Sequence, residues 1–119
     1  MIESVRFVGL RTRAFAEMTA LYRDALGLAP ELETPGAAWF RAADGTSIHV
    51  YDADDADHDF FGRGPVVGFR VDDFAAARAA LVAAGLEFIG EPQRHDGAVW
   101  NHYRAPDGNV YELMGRERA

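Results

Sequence analysis

The sequence contains its own first half a second time. Arg41-Ala42-Ala43-Asp44-Gly45 recurs 63 residues later as Arg104-Ala105-Pro106-Asp107-Gly108, and the same offset sets His49 against Glu112. Upstream, Phe7-Val8-Gly9-Leu10-Arg11 reads against Val66-Val67-Gly68-Phe69-Arg70 at an offset of 59, which also carries Phe15 onto Phe74. Gly27-Leu28 meets Gly85-Leu86 at 58. Self-similarity at a nearly fixed offset means copies of one supersecondary unit, so equivalent positions can be compared within one chain. His49 and Glu112, both able to bind a metal, become pseudo-symmetry mates.

A chain of 119 residues is long enough for one domain with a sizeable core and too short for two independent ones. Its 12 basic and 19 acidic residues leave a net charge of −7, which disfavours nucleic acid and anionic membrane surfaces as partners. There is no cysteine, so no disulfide is possible, and a reducing compartment is compatible. No segment approaches the roughly 18 consecutive apolar residues of a membrane span, and the first residues do not read as a secretory leader. The expectation is a cytoplasmic protein.

Val5 to Thr12 carries apolar residues at 5, 7, 8 and 10 and reads as a mostly buried strand. Phe15, Met18, Tyr22 and Ala25 or Leu26 then fall on one helical face, with Gly27 placed as a left-handed cap. The second copy agrees: Asp72 or Asp73 caps a helix whose stripe is Phe74, Ala77, Leu81 and Ala84, and Gly85 closes it. Ala38 to Arg41 and Thr46 to Tyr51 flank Asp44-Gly45, while Val99 to Arg104 and Asn109 to Met114 flank Asp107-Gly108, so each pair reads as a hairpin. A short strand at Glu87 to Ile89 has a weaker counterpart near Glu31 to Glu33. The unit is thus β-α-β-β-β. The predicted organisation is a single domain over 1–119, with repeat unit one at 1–52, an acidic linker at 53–63 and repeat unit two at 64–119. Residues 52–59 hold five aspartates, but the glycine and terminal glutamate of an EF-hand loop are missing, so a solvated linker is expected there.

The duplicated unit, the helix end Leu21-Tyr22-Arg23-Asp24-Ala25-Leu26-Gly27-Leu28 and the stretch Pro106-Asp107-Gly108-Asn109-Val110-Tyr111-Glu112-Leu113 resemble the vicinal oxygen chelate superfamily. That superfamily includes glyoxalase I, fosfomycin-resistance enzymes, extradiol dioxygenases and bleomycin-resistance proteins. The resemblance covers nearly the whole chain. It implies an α+β fold in which two βαβββ modules form curved mixed sheets around a cleft, with helices on the convex face. Metal-dependent members place ligands on the first and last strands of each unit. Position by position, the first-strand ligands fall on Phe7 and Val66, which bind no metal, and the last-strand ligands on His49 and Glu112, which can. Two donors fall short of the three or so that a mononuclear catalytic metal needs, so the standard centre is expected to be missing and no cofactor is implied.

With Phe7 and Val66 apolar, the resemblance and the 63-residue offset point to an organic guest. Pairing by offset and period-two alternation brings Trp39, Trp100 and His102 to one face, with Arg41 and Arg104 beside them. The candidate ligand-binding residues are Phe7, Trp39, His49 and Tyr51 in the first copy, and Val66, Trp100, His102 and Glu112 in the second. His49 and Glu112 are the candidate catalytic groups. Arg11 and Arg70 are pseudo-mates whose guanidinium groups suit a carboxylate, whether on a ligand or on the many aspartates. His58 and His95 lie in polar loops and are expected to be solvated.

The leading expectation is a binder of a small aromatic organic molecule, resembling the bleomycin-resistance branch in which a drug is sequestered. The alternative is a metal-dependent lyase or dioxygenase whose divalent metal is held by His49, Glu112 and His102. A metal-free enzyme with His49 or Glu112 as general base is a further possibility. Superfamily members often dimerise, so a homodimer is expected, and an interaction module covered by a second chain is the third reading.

Overall fold

The computed structural model describes residues 2–62, 64–105 and 108–117. Eight strands and two helices repeat the order β-α-β-β-β twice among these residues. The first copy comprises β1 (Ile2–Thr12), α1 (Phe15–Ala20), β2 (Pro30–Thr34), β3 (Ala37–Arg41) and β4 (Ser47–Asp52). The second comprises β5 (Val66–Val71), α2 (Phe74–Ala83), β6 (Glu87–His95), β7 (Ala98–Arg104) and β8 (Val110–Arg116). The chain divides into two compact units, residues 7–66 and residues 1–6 with 67–119, so that β1 contributes to both.

In each unit the first and last strands of the copy pair in parallel and the remaining pairs are antiparallel, which makes the sheets mixed. Within residues 7–66 the order is β2-β3-β4-β1, and within 67–119 it is β5-β8-β7-β6. The α+β class and the duplicated module are those expected from the repeat.

Alternation decides what each sheet buries. In the unit 7–66, Ala38, Phe40 and Val50 are buried on the face that meets Phe15, Met18 and Tyr22 of the helical segment, with Leu10, Leu28 and Ile48 beside them. Successive strand side chains point to opposite faces, so Phe7, Trp39, His49 and Tyr51 are consigned to the other one. The second unit repeats the scheme with Val71, Phe74, Val99, Tyr103 and Leu113, packed by Ala77, Leu81 and Phe88.

The helices differ from their expected forms in instructive ways. The spacing of Phe15 to Leu26 predicts one α-helix; α1 instead ends at Ala20 and the chain continues through a wider π-type turn, Leu21–Ala25, where Leu26 N donates to Leu21 O. In α2 the Asp73 carboxylate caps the N-terminus, accepting from Ala76 N at 3.0 Å. Both closing glycines are left-handed as read, Gly27 at φ 73° and Gly85 at φ 90°.

The hairpin around Asp44-Gly45 closes with Ala42 N donating to Thr46 O and Gly45 N to Ala42 O. The equivalent bonds Ala105 N to Asn109 O and Gly108 N to Ala105 O recur in the second copy, although Pro106 and Asp107 themselves lie outside the described residues.

Strand β6 is much longer than the expected Glu87 to Ile89, because a register shift between Ile89 and Gln93 lets the strand bend and resume. Buried Asn101 holds that bend. Its Nδ2 donates to the carbonyls of Ile89 and Gly90, each at 3.3 Å, while its Oδ1 accepts from Arg78 Nε at 2.9 Å. The Arg78 guanidinium in turn lies 4.6 Å from the centre of the Phe88 ring. Asn101→Ala should cost about 2 kcal/mol, because two carbonyls and one guanidinium lose their partner in a dry site. Urea unfolding checks this, and an unchanged midpoint would mean that water replaces the amide.

Candidate functional site

The unit 7–66 presents an aromatic face built around His49. Strand pairing sets Trp39 directly across from His49, and the indole and imidazole stack with centroids 4.6 Å apart and planes 9° from parallel. Phe7 meets the imidazole edge-on at 5.0 Å. Two residues along β4, the Tyr51 hydroxyl lies 2.9 Å from His49 Nδ1. Trp39 retains 36% of its surface, whereas Phe7 and Tyr51 are buried. Packed among rings, His49 is pushed down to about 4, first by loss of solvation, then by the nearby His58, with Arg41 adding and Glu31 opposing. It is a neutral imidazole at physiological pH.

Phe7 reaches His49 because of the residue it passes over. The parallel register sets Gly9, not Phe7, directly beside His49. A Cβ at position 9 would stand 2.6 Å from the Phe7 ring and 2.8 Å from Phe61, so only glycine leaves the ring its place. Gly9→Ala should cost about 2 kcal/mol through overpacking. Chemical denaturation measures it, and the double variant Phe7→Leu with Gly9→Ala should recover much of the loss; no recovery would place the strain elsewhere.

The acidic segment after β4 corrects the expectation of a plain solvated linker. His58, read as solvated, stacks on Tyr51 with centroids 3.6 Å apart and planes 13° from parallel, and its Nδ1 lies 3.1 Å from Asp55 Oδ1. Phe61 is buried against Tyr51 and Phe7. Arg11 pins both ends of the segment, donating to Ala53 O at 2.6 Å and Asp59 O at 3.4 Å. Its guanidinium therefore serves backbone carbonyls rather than a ligand or aspartate side chains. Sequence reasoning missed Phe60 and Phe61, although two adjacent aromatics at the end of an acidic run are a signal that such a segment folds back onto a core.

In the unit 67–119, β7 and β8 set His102 directly across from Glu112. His102 Nε2 and Glu112 Oε2 are 2.9 Å apart, a close polar contact rather than an aligned hydrogen bond, and Glu112 is only 5% exposed. Trp100 Nε1 donates to Gln93 Oε1 at 2.9 Å, which ties the indole to β6. Across β5, the residue in register with Glu112 is Gly68. Val66 is buried at 2% exposure. The exposed Arg41 bonds Glu31 at 2.8 Å and the carbonyl of Gly45 at 3.0 Å, and Arg70 faces Glu3 at 3.4 Å.

The donors do not fit a mononuclear metal within either unit. His49 in one unit has Tyr51 on Nδ1 and rings around it, while in the other the imidazole of His102 stands against the carboxylate that a cation would need. Among the described residues no group of three or more His, Cys, Asp or Glu is arranged to hold a metal ion. No helix among them is long and apolar enough to cross a membrane.

Comparison with known proteins gives a single family. Residues 4–113 match the model of the Glyoxalase/Bleomycin resistance protein/Dioxygenase superfamily. Among solved structures, a Mn(II)-bound glyoxalase from Novosphingobium aromaticivorans superposes with a TM-score of 0.77 at 24% identity, over 99% of this chain and 42% of that one. The 2,3-dioxygenase LapB from Pseudomonas sp. KL28 gives 0.73 at 22%, again over 99% and 42%. A methylmalonyl-CoA epimerase from Mycobacterium tuberculosis gives 0.67 at 19%, over 98% and 90%. The chain thus spans less than half the length of the first two, and at these identities the likeness is one of fold. Comparison with curated proteins gives no match.

Proposed function

Since the chain belongs to the Glyoxalase/Bleomycin resistance protein/Dioxygenase superfamily, whose fold serves several chemistries, we propose that its own side chains decide for binding. The ligand is a small aromatic organic molecule, bound without the standard metal centre. One observation carries this reading: the half-open indole of Trp39 laid flat over a neutral His49, with Phe7 on the imidazole edge. The partly exposed indole, backed by the imidazole, offers a flat surface for a planar guest, and the carboxylate and guanidinium of Glu31 and Arg41 lie close by. Tyr51 belongs to the same face. Catalysis needs no part in this reading.

Tryptophan fluorescence with a panel of planar aromatics tests it. Binding in the micromolar range is expected, and Trp39→Leu should weaken it about tenfold. No binding below about millimolar concentration would overturn the proposal. Stoichiometric retention of manganese, zinc or nickel, lost in His49→Ala or Glu112→Ala, would instead favour a metal-dependent lyase or dioxygenase. A single cytoplasmic domain over 1–119 that pairs as a homodimer completes the proposal, and light scattering checks the pairing.

A further inference from the structure

An imidazole can present either a donor or an acceptor at a given nitrogen, and the bond made by the other nitrogen chooses. For His49 that other bond is the one between Nδ1 and the Tyr51 hydroxyl, 2.9 Å long. A phenol O–H is a strong donor and its oxygen a weak acceptor, whereas the unprotonated nitrogen of a neutral imidazole is a strong acceptor. The pair is therefore ordered with Tyr51 donating and His49 Nδ1 accepting. The single imidazole proton then resides on Nε2, which makes no hydrogen bond among the described residues.

The geometry holds this arrangement in place. Tyr51 cannot swing away, since it is buried between the stacked ring of His58 and the edge of Phe61. His58 is itself fixed through Nδ1 by Asp55. The His49 ring cannot turn over freely, with Trp39 parallel to one side and Phe7 packed nearly perpendicular to it 5.0 Å away.

We propose that Tyr51 locks His49 as the neutral Nε2–H tautomer, a hydrogen-bond donor set in an aromatic wall, so that the ligand of this face is a planar aromatic bearing a carbonyl oxygen. Tyr51 is a positioning residue, and His49 is the group that reads the ligand. The ligand class rests on the binding reading given above; the tautomer does not. A guest that hydrogen-bonds in the imidazole plane also lies parallel to the Trp39 indole, so one orientation satisfies both contacts.

The tautomer is read directly from the long-range proton–nitrogen spectrum of the imidazoles in the unliganded wild-type protein at pH 7. The Nε2–H pattern is expected for His49, and an Nδ1–H or doubly protonated ring would overturn the proposal. Tyr51→Phe keeps the ring stacked on His58 but should give a mixture of tautomers, whereas an unchanged spectrum would remove Tyr51 from the role. For the ligand, 9-fluorenone and fluorene differ by a carbonyl in place of a methylene. The wild type should bind fluorenone about fivefold more tightly, the worth of one hydrogen bond. His49→Phe should bring the ratio to about one while fluorene still binds. Equal binding of the two by the wild type overturns the carbonyl specificity and leaves the aromatic site standing. Failure of both to bind, with the Nε2–H spectrum intact, overturns the aromatic site itself.

Discussion

Replacing His102 with leucine is expected to destabilise the protein by about 3 kcal/mol, through the carboxylate it leaves behind. Glu112 is 5% exposed and its Oε2 stands 2.9 Å from His102 Nε2. A side chain of this kind is almost never fully buried unless paired. With leucine at 102 that buried carboxyl group faces an apolar side chain in place of its polar partner, which costs free energy relative to the native contact. The sign of the second step distinguishes this from simple loss of packing. Adding Glu112→Gln to the leucine variant removes the charge and should recover a large part of the loss, so the two changes together cost less than the sum of each alone. Urea unfolding of the wild type, both single variants and the double variant gives the coupling. Additive effects would mean that the two side chains stabilise the sheet independently.

Acidification from pH 7 to pH 4.5 is expected to weaken the fold through His49 by about 2.5 kcal/mol. Its imidazole is held down to about 4 in the folded protein, against 6.5 for the free group. Above pH 6.5 the ring is neutral in both states and its contribution to stability is fully present. Between pH 6.5 and about 4 the unfolded chain takes the proton while the folded protein refuses it, so stability falls as pH falls. Below about 4 both states carry the proton and the loss stops growing. The carboxylates of Asp24, Glu31 and Asp55 are held low by Arg23, by Arg41 and, against the effect of burial, by His58, so their contributions fade only below the ordinary carboxylate range. His49→Phe keeps a ring next to Trp39 and abolishes the titration. Its stability should therefore change far less than that of the wild type between pH 7 and 4.5, and parallel curves for the two proteins would show that another group carries the dependence.

The repeat made much of the architecture legible, because it constrains local structure twice over. Gly27 and Gly85, Phe15 and Phe74, and the hairpin bonds at 42–46 and 105–109 occupy matched places for the same backbone reason. Strand pairing, which alternation alone does not fix, sets Trp39 directly opposite His49. Where the expectation departed from the structure, the cause was a contact that period and propensity do not encode. The π-type turn at Leu21–Ala25 and the bend in β6 held by Asn101 are local insertions settled by packing. His58 left the solvent because Tyr51 offered a ring to stack on and Asp55 a carboxylate for its Nδ1.

The amino-acid order alone thus determined the duplicated βαβββ unit and, through the resemblance its motifs carry, the family and the absence of donors at Phe7 and Val66, while the two-residue period of strands assigned strand side chains to faces. The tertiary structure decided what the functional groups touch. Phe7 lies against His49 only because Gly9 leaves the ring room, Tyr51 chooses a nitrogen of that imidazole, Arg11 pins an acidic segment over the sheet, and His102 meets Glu112 across two strands. Each of these depends on rotamers and on strand register between residues far apart in the chain, and neither is written in local periodicity.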